Sequence, residues 1–284
     1  MSIDALQEKI RKRKCALIVD MTVFPEDLPG EGSAEELERF SKELLRALRG
    51  RVPGVRFRLS ALALMGPEAL SMGQKLTQEA QNLGFYVLLD VPEADSPELA
   101  AFAARQITGE GSGWACDGVV LPMYAGFDVL QPWLEPCEKQ GLDLFALCRT
   151  PNKSAAELQD LLCGTRLAYT AVADQAARFA GNSVGKFGYS RVGLTTAAGV
   201  PASVKNLRTK YPNLFLLVDG MDFTGANFKN VSFAFDKLGR GAAYCAGTMV
   251  TLSWKQQEGT ELAAAVQKEV ERQKAALQRY VTFL

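Results

Sequence analysis

Two acids, Asp90 and Asp95, follow the apolar run at 85–89, with Pro92 and Glu93 between them. Carboxylates so spaced can move a proton, hold a ligand hydroxyl or ligate a hard cation. Pro92 has no side-chain proton to give. Asp20 ends another apolar run, so Asp20, Asp90, Glu93 and Asp95 form one set of oxygen donors suited to Mg²⁺ in a metal-assisted reaction. The same residues have a plainer reading. Asp95 precedes Ser96-Pro97 and can help a helix start, Arg58 can neutralise Asp20 or Asp90, and Asn152 can cap or turn its loop. That structural reading is favoured over the metal site, and no resident metal or cofactor is assigned.

Other chemistries are excluded by residue type. The chain has no histidine, which removes Ser-His-Asp and Cys-His catalysis, imidazole proton shuttling and histidine-based metal sites. Lys plus Arg and Asp plus Glu number 32 each, so no overall charge favours nucleic acid or an anionic membrane as partner. The basic run 11–14 reads as a solvated flank of the first strand. The six cysteines show no CxxC spacing and read as reduced core residues of a cytoplasmic protein. No apolar run reaches the roughly 18 to 20 residues of a membrane helix, and none of signal length follows the basic cluster.

The elements that must position these residues alternate from end to end. Apolar runs at 15–24, 55–64, 85–90, 117–124, 142–150, 189–196, 213–221 and 241–253 are each followed by a helical pattern. Ser33 and Glu36 make a capping box for the helix at 33–50, and Gly50 suits its stop. Ser96 and Pro97 open another helix. Residues 154–164 and 227–239 also read as helices, and a long one closes the chain from about Thr260. Eight β-then-α units in roughly 250 residues predict an α/β single domain over 1–284, a closed (β/α)8 TIM barrel, with 1–14 as a flank and 255–284 as a closing helix. In such a barrel chemistry lies at the C-terminal strand ends, where Asp20, Arg58, Asp90, Arg149 to Asn152 and Asp219 to Gly225 all fall. Phe223, Phe228, Phe233 and Phe235 read as packing residues and not as a stacking platform.

Several of these strand ends resemble one family. The stretch LFALCRTPNKSAAELQDL (144–161), the stretch VLPMYAGFDVLQPWLE (120–135), and VGLTT followed by LLVDGMDFTGAN are similar in order and spacing to orotidine 5'-phosphate decarboxylases of the longer bacterial type. The resemblance implies a TIM barrel in pyrimidine metabolism, a nucleotide monophosphate as ligand, and a homodimer or a heterodimer with a related enzyme. It also implies roles: Asp90 and Asp95 as the catalytic acids of Asp-x-Lys-x-x-Asp, Asp20 at the ribose, and Arg58 where a second lysine is expected. Asn152 and Thr224 would fall in the pyrimidine and phosphate loops. Pro92 replaces the lysine that protonates the product carbon. Pro151 replaces a pyrimidine-binding serine, Thr224 a phosphate-loop glutamine, and Gly247 the phosphate-gripping arginine; no Lys or Arg lies between Gly241 and Ser253. The expectation is a catalytically degenerate paralogue with a binding or structural role; an active decarboxylase and a metal-assisted enzyme are the alternatives.

Overall fold

The computed structural model describes residues 2–92, 95–181, 184–223, 225–256 and 260–284. Eight parallel strands close into a barrel: β1 (Leu17–Asp20), β2 (Gly54–Arg58), β3 (Tyr86–Asp90), β4 (Gly118–Pro122), β5 (Asp143–Leu147), β6 (Val192–Ala197), β7 (Leu216–Asp219) and β8 (Ala242–Ala246). Pairing follows chain order, and β8 returns to β1 with Leu17 opposite Tyr244 and Val19 opposite Ala246. The strands are continuous apolar runs because helices cover one face and the barrel interior covers the other. Register decides what meets at the mouth, since Asp20 lies opposite Arg56 and Arg58 lies opposite Asp90.

Ser33 caps the helix Ala34–Leu48 by accepting from the Glu36 amide at 3.2 Å. The expected box is only half made: the Glu36 carboxylate accepts from the Gly32 amide, at 2.8 Å, and not from Ser33. That helix buries Leu37, Phe40, Leu44, Leu45 and Leu48. The closing helix Leu262–Gln278 packs on it and completes the outer ring.

Several assignments change. The run 241–253 is strand only over Ala242–Ala246, and Thr248–Thr251 is a short helix. The run 55–64 is strand only to Arg58; Leu59–Leu64 forms a short helix, as its alternation of Leu and Ala, both strong helix formers, permits. Residues 154–164 are helical only over Ala156–Gln159, and Leu162–Cys163 then pairs antiparallel with Arg166–Leu167 across a turn in which Gly164 takes φ +68°. This ribbon exposes Cys163, so the core placement holds for the other five cysteines only. The helix after β7 covers Phe228–Ser232 and stops before the 236–240 turn, in which Asp236 accepts from the Leu238 and Arg240 amides.

A further change concerns the N-terminal flank, which is a helix, Ser2–Arg13, with Ile3, Leu6 and Ile10 buried along one stripe. The basic run supplies its last turn, where cations offset the helix dipole. The helix closes the floor of the barrel. Gln7 accepts from the Gly241 amide ahead of β8, Asp4 accepts from the Phe187 amide ahead of β6, and Lys9 donates to the Gly84 carbonyl ahead of β3. Among the described residues no helix is long and apolar enough to cross a membrane.

Candidate functional site

The C-terminal strand ends surround a cavity of about 410 Å³. Its base is a chain of ion pairs. Asp20, at the end of β1, accepts on Oδ2 from Arg56 Nε (3.2 Å) and Nη2 (2.8 Å) and from Arg58 Nε (2.7 Å). Its Oδ1 accepts from the Thr22 amide and hydroxyl. Arg56 also donates through Nη1 to Asp219 Oδ1 at 2.7 Å, and Arg58 through Nη1 to Asp90 Oδ2 at 3.1 Å. Arg56, Asp20 and Asp219 are buried, whereas Arg58 is 39% exposed.

These contacts fix the charge states. Burial alone would raise the Asp20 carboxyl, but Arg56 and Arg58 overcome it and hold the group well below the usual carboxylate range. For Asp90 the balance is reversed: burial outweighs both arginines and pushes its carboxyl up. Burial opposes the charge on Arg56, yet Asp219 and Asp20 hold it firmly protonated. The Cys245 thiol, buried beside Arg56 and Asp219, is driven far up by desolvation and is no nucleophile.

A second feature lies across the mouth. The Asp222 carboxylate accepts from the Gly247 amide at 2.8 Å, the Met249 amide at 2.8 Å and the Thr248 hydroxyl at 3.2 Å. A side chain of the β7 loop thus covers the donors at the start of the β8 loop. In the neighbouring loop after β5, Arg149 is buried and held bidentately by Asp160, with both contacts at 3.1 Å. Gln159 accepts from the Thr150 amide and donates to its hydroxyl, which in turn donates to Asn152 Oδ1 at 2.6 Å. The Leu-Gln-Asp segment therefore organises the 149–152 loop, and Asn152 turns it.

Of the expected site residues, Asp20, Arg58, Asp90 and Asn152 line the cavity together. Asp95 does not; it is exposed just ahead of Ser96, whose Oγ accepts from the Leu99 amide to cap the helix Pro97–Thr108. Pro92 also lies outside the mouth, in an apolar groove with Leu99, Phe102 and Trp114. Glu93 and Thr224 lie outside the described residues. Of the oxygen set weighed for Mg²⁺, Asp20 and Asp90 face arginines and Asp95 is exposed outside the cavity lining, and among the described residues no three His, Cys, Asp or Glu side chains are grouped to hold a metal. Phe228 packs edge-on against Tyr244 and Phe235 against Phe283, whereas Phe223 is exposed at the mouth.

Two features went unread in the sequence. Arg56 carries a signal, because side chains alternate along a strand and Arg56 must point the same way as Arg58. Asp222 falls in the 219–225 segment expected at a strand end, but nothing in the sequence places backbone amides around it.

Comparison with known proteins identifies the surroundings of this mouth. The model of the orotidine 5'-phosphate decarboxylase / HUMPS family matches residues 67–230. An orotidine 5'-phosphate decarboxylase of Dehalococcoides mccartyi is 28% identical over 286 residues, covering 98% of this chain and 97% of the relative. One of Caldicellulosiruptor bescii is 25% identical over 259 residues, covering 84% and 85%. Among solved structures, a putative orotidine 5'-phosphate decarboxylase of Streptomyces avermitilis superposes with a TM-score of 0.82 at 20% identity, covering 99% of this chain and 95% of the other. At that identity the superposition speaks for the fold.

Proposed function

Because the chain belongs to the orotidine 5'-phosphate decarboxylase / HUMPS family, we propose that it is a paralogue that no longer performs the decarboxylation and acts in pyrimidine metabolism by binding. The observation that carries this reading is that the polar groups of the mouth are satisfied by one another. Arg56 and Arg58 are engaged by Asp20, Asp90 and Asp219, and Asp222 accepts the donors of Gly247, Thr248 and Met249. A phosphorylated substrate would meet more carboxylates than arginines and would have to displace a carboxylate from its amides.

The chemical step lacks its donor as well. The family's lysine between the two acids is Pro92 here, and Pro92 faces the neighbouring groove. Arg58 keeps a positive charge but is never a proton donor near neutrality. Loss of one transition-state charge donor commonly costs about 10²- to 10³-fold in rate, and here a proton donor and a phosphate grip are both replaced. By family resemblance the retained role is association, with a second copy or a related enzyme, in the cytoplasm.

The test is spectroscopic. Purified protein is incubated with orotidine 5'-phosphate and loss of its ultraviolet absorbance is followed; the expected trace is flat. Turnover well above the uncatalysed rate would restore the active-decarboxylase reading. In parallel, uridine 5'-phosphate is expected to leave Tm unchanged, since a ligand that binds only the folded state raises it. Co-purification of a pyrimidine-pathway enzyme supports the binding role.

A further inference from the structure

The floor of the barrel holds polar atoms that neither the mouth nor the fold accounts for. Asp143 opens β5 and is fully buried. Its Oδ2 accepts from the Tyr86 hydroxyl at 2.6 Å, but its Oδ1 completes no hydrogen bond. The first turn of the N-terminal helix sits directly on it: the Ile3 amide and the Ser2 side chain face the carboxylate, and Ser2 Oγ is likewise buried without a completed bond. Arg191, one residue ahead of β6, acts on the same carboxylate and buries Nε and Nη1 unpartnered.

A carboxylate with one orphan oxygen in a dry site is costly when ionised, and a proton on Oδ1 removes the charge and makes that oxygen a donor toward Ser2. We propose that Asp143 is a proton-operated latch: protonated it keeps the Ser2–Arg13 helix seated on the barrel floor, and ionised it favours release of that helix into water.

The groups around it favour a neutral floor. Burial raises the Asp143 carboxyl from 3.8 to about 7, against the lowering pull of Tyr86, Ile3, Ser2 and Arg191. Tyr86 stays protonated far above neutrality, through burial and the nearby Asp143 and Asp117. Cys137, from the helix Gln131–Gln140, is also neutral, its thiol raised to about 12 by burial and Asp143. Asp117, whose backbone carbonyl accepts from the Asp143 amide at 2.9 Å, has its own carboxyl raised by burial and attracts Lys9 of the N-terminal helix. With the helix released, Asp143 meets water and titrates near its ordinary value. Opening then becomes easier as pH rises from about 4 through 7 and levels off above.

Hydrogen exchange of the full-length protein reads this directly. After correction for intrinsic rates, the opening constant of amides 7–13 is expected to rise on the order of a hundredfold between pH 5 and pH 8, while the β3 amides change far less. Asp143→Asn is expected to make the profile flat. A flat wild-type profile, an Asp143→Asn profile that follows the wild type, or β3 amides falling in step with the helix would each overturn the latch. Should Asp143→Asn not fold, Tyr86→Phe decides: losing a bond that favours the ionised form must move the wild-type midpoint upward, and an unmoved or lowered midpoint refutes the proposal.

Discussion

Arg56 is buried between two carboxylates and donates to both, so its contribution depends on which partner is taken away. Desolvating three charged groups costs several kcal/mol each, and mutual attraction with well-placed hydrogen bonds offsets that cost. Replacing Arg56 alone leaves Asp20 and Asp219 buried together. Arg56→Met is therefore expected to lower stability by about 3 to 5 kcal/mol, seen as a lower urea midpoint. Adding Asp20→Asn and Asp219→Asn to it is expected to recover part of the loss; a single variant as stable as the wild type would show the brace to be dispensable. The contrast with Asp222 explains what was legible at this scale. Arg56 could be read from strand alternation beside Arg58, because that register is local. The partners of Asp222 include backbone amides 25 and 27 positions later, and an amide leaves no mark on the residue types that carry it.

At the scale of elements, the eight apolar runs separated by helical patterns sufficed for the barrel, because strands covered on both faces are the strongest signal a parallel sheet gives. The misread segments are those whose state depends on the surroundings. Leu59–Leu64 has composition compatible with either state, and it turns helical because the strand must end at the mouth. Ser2–Arg13 has an apolar stripe at 3, 6 and 10, but four apolar positions or fewer in a charged segment are weak evidence until a floor exists to receive them. The ribbon at 162–167 follows from Gly164, which permits the turn. Caps were more readable, since their bonds are local. Ser33→Ala removes an acceptor for one of the first helical amides and is expected to cost about 1 kcal/mol, measured by chemical denaturation. An effect below a few tenths would mean that Glu36, bonded to Gly32, already fixes that helix start.

For the whole molecule, the two ends of the barrel oppose one another in pH. Asp20 at the mouth has a depressed folded-state pKa, so its stabilisation is present above the ordinary carboxylate value near 4 and is lost as pH falls below it. Asp143 at the floor is raised to about 7, so its contribution is full below that ordinary value and declines as pH rises through 7. Asp90, also raised, adds to the same decline. Stability is expected to crest at about pH 4 to 5, with Tm falling on both sides; Asp20→Asn flattens the acid limb and Asp143→Asn the limb toward neutrality. A crest above pH 7 would contradict the Asp143 assignment, and an acid limb left unchanged by Asp20→Asn would contradict that of Asp20. The ion-pair chain at the mouth also bears on how the polypeptide comes together. Arg56 is 36 residues from one of its partners and 163 from the other. On a ribosome the first half of the barrel emerges with this guanidinium only half neutralised, and it stays so until the seventh strand has been synthesised. Rim closure is thereby deferred to the last quarter of translation, and a chain stalled earlier would display an open-edged, incompletely compensated sheet of the kind that chaperones retain.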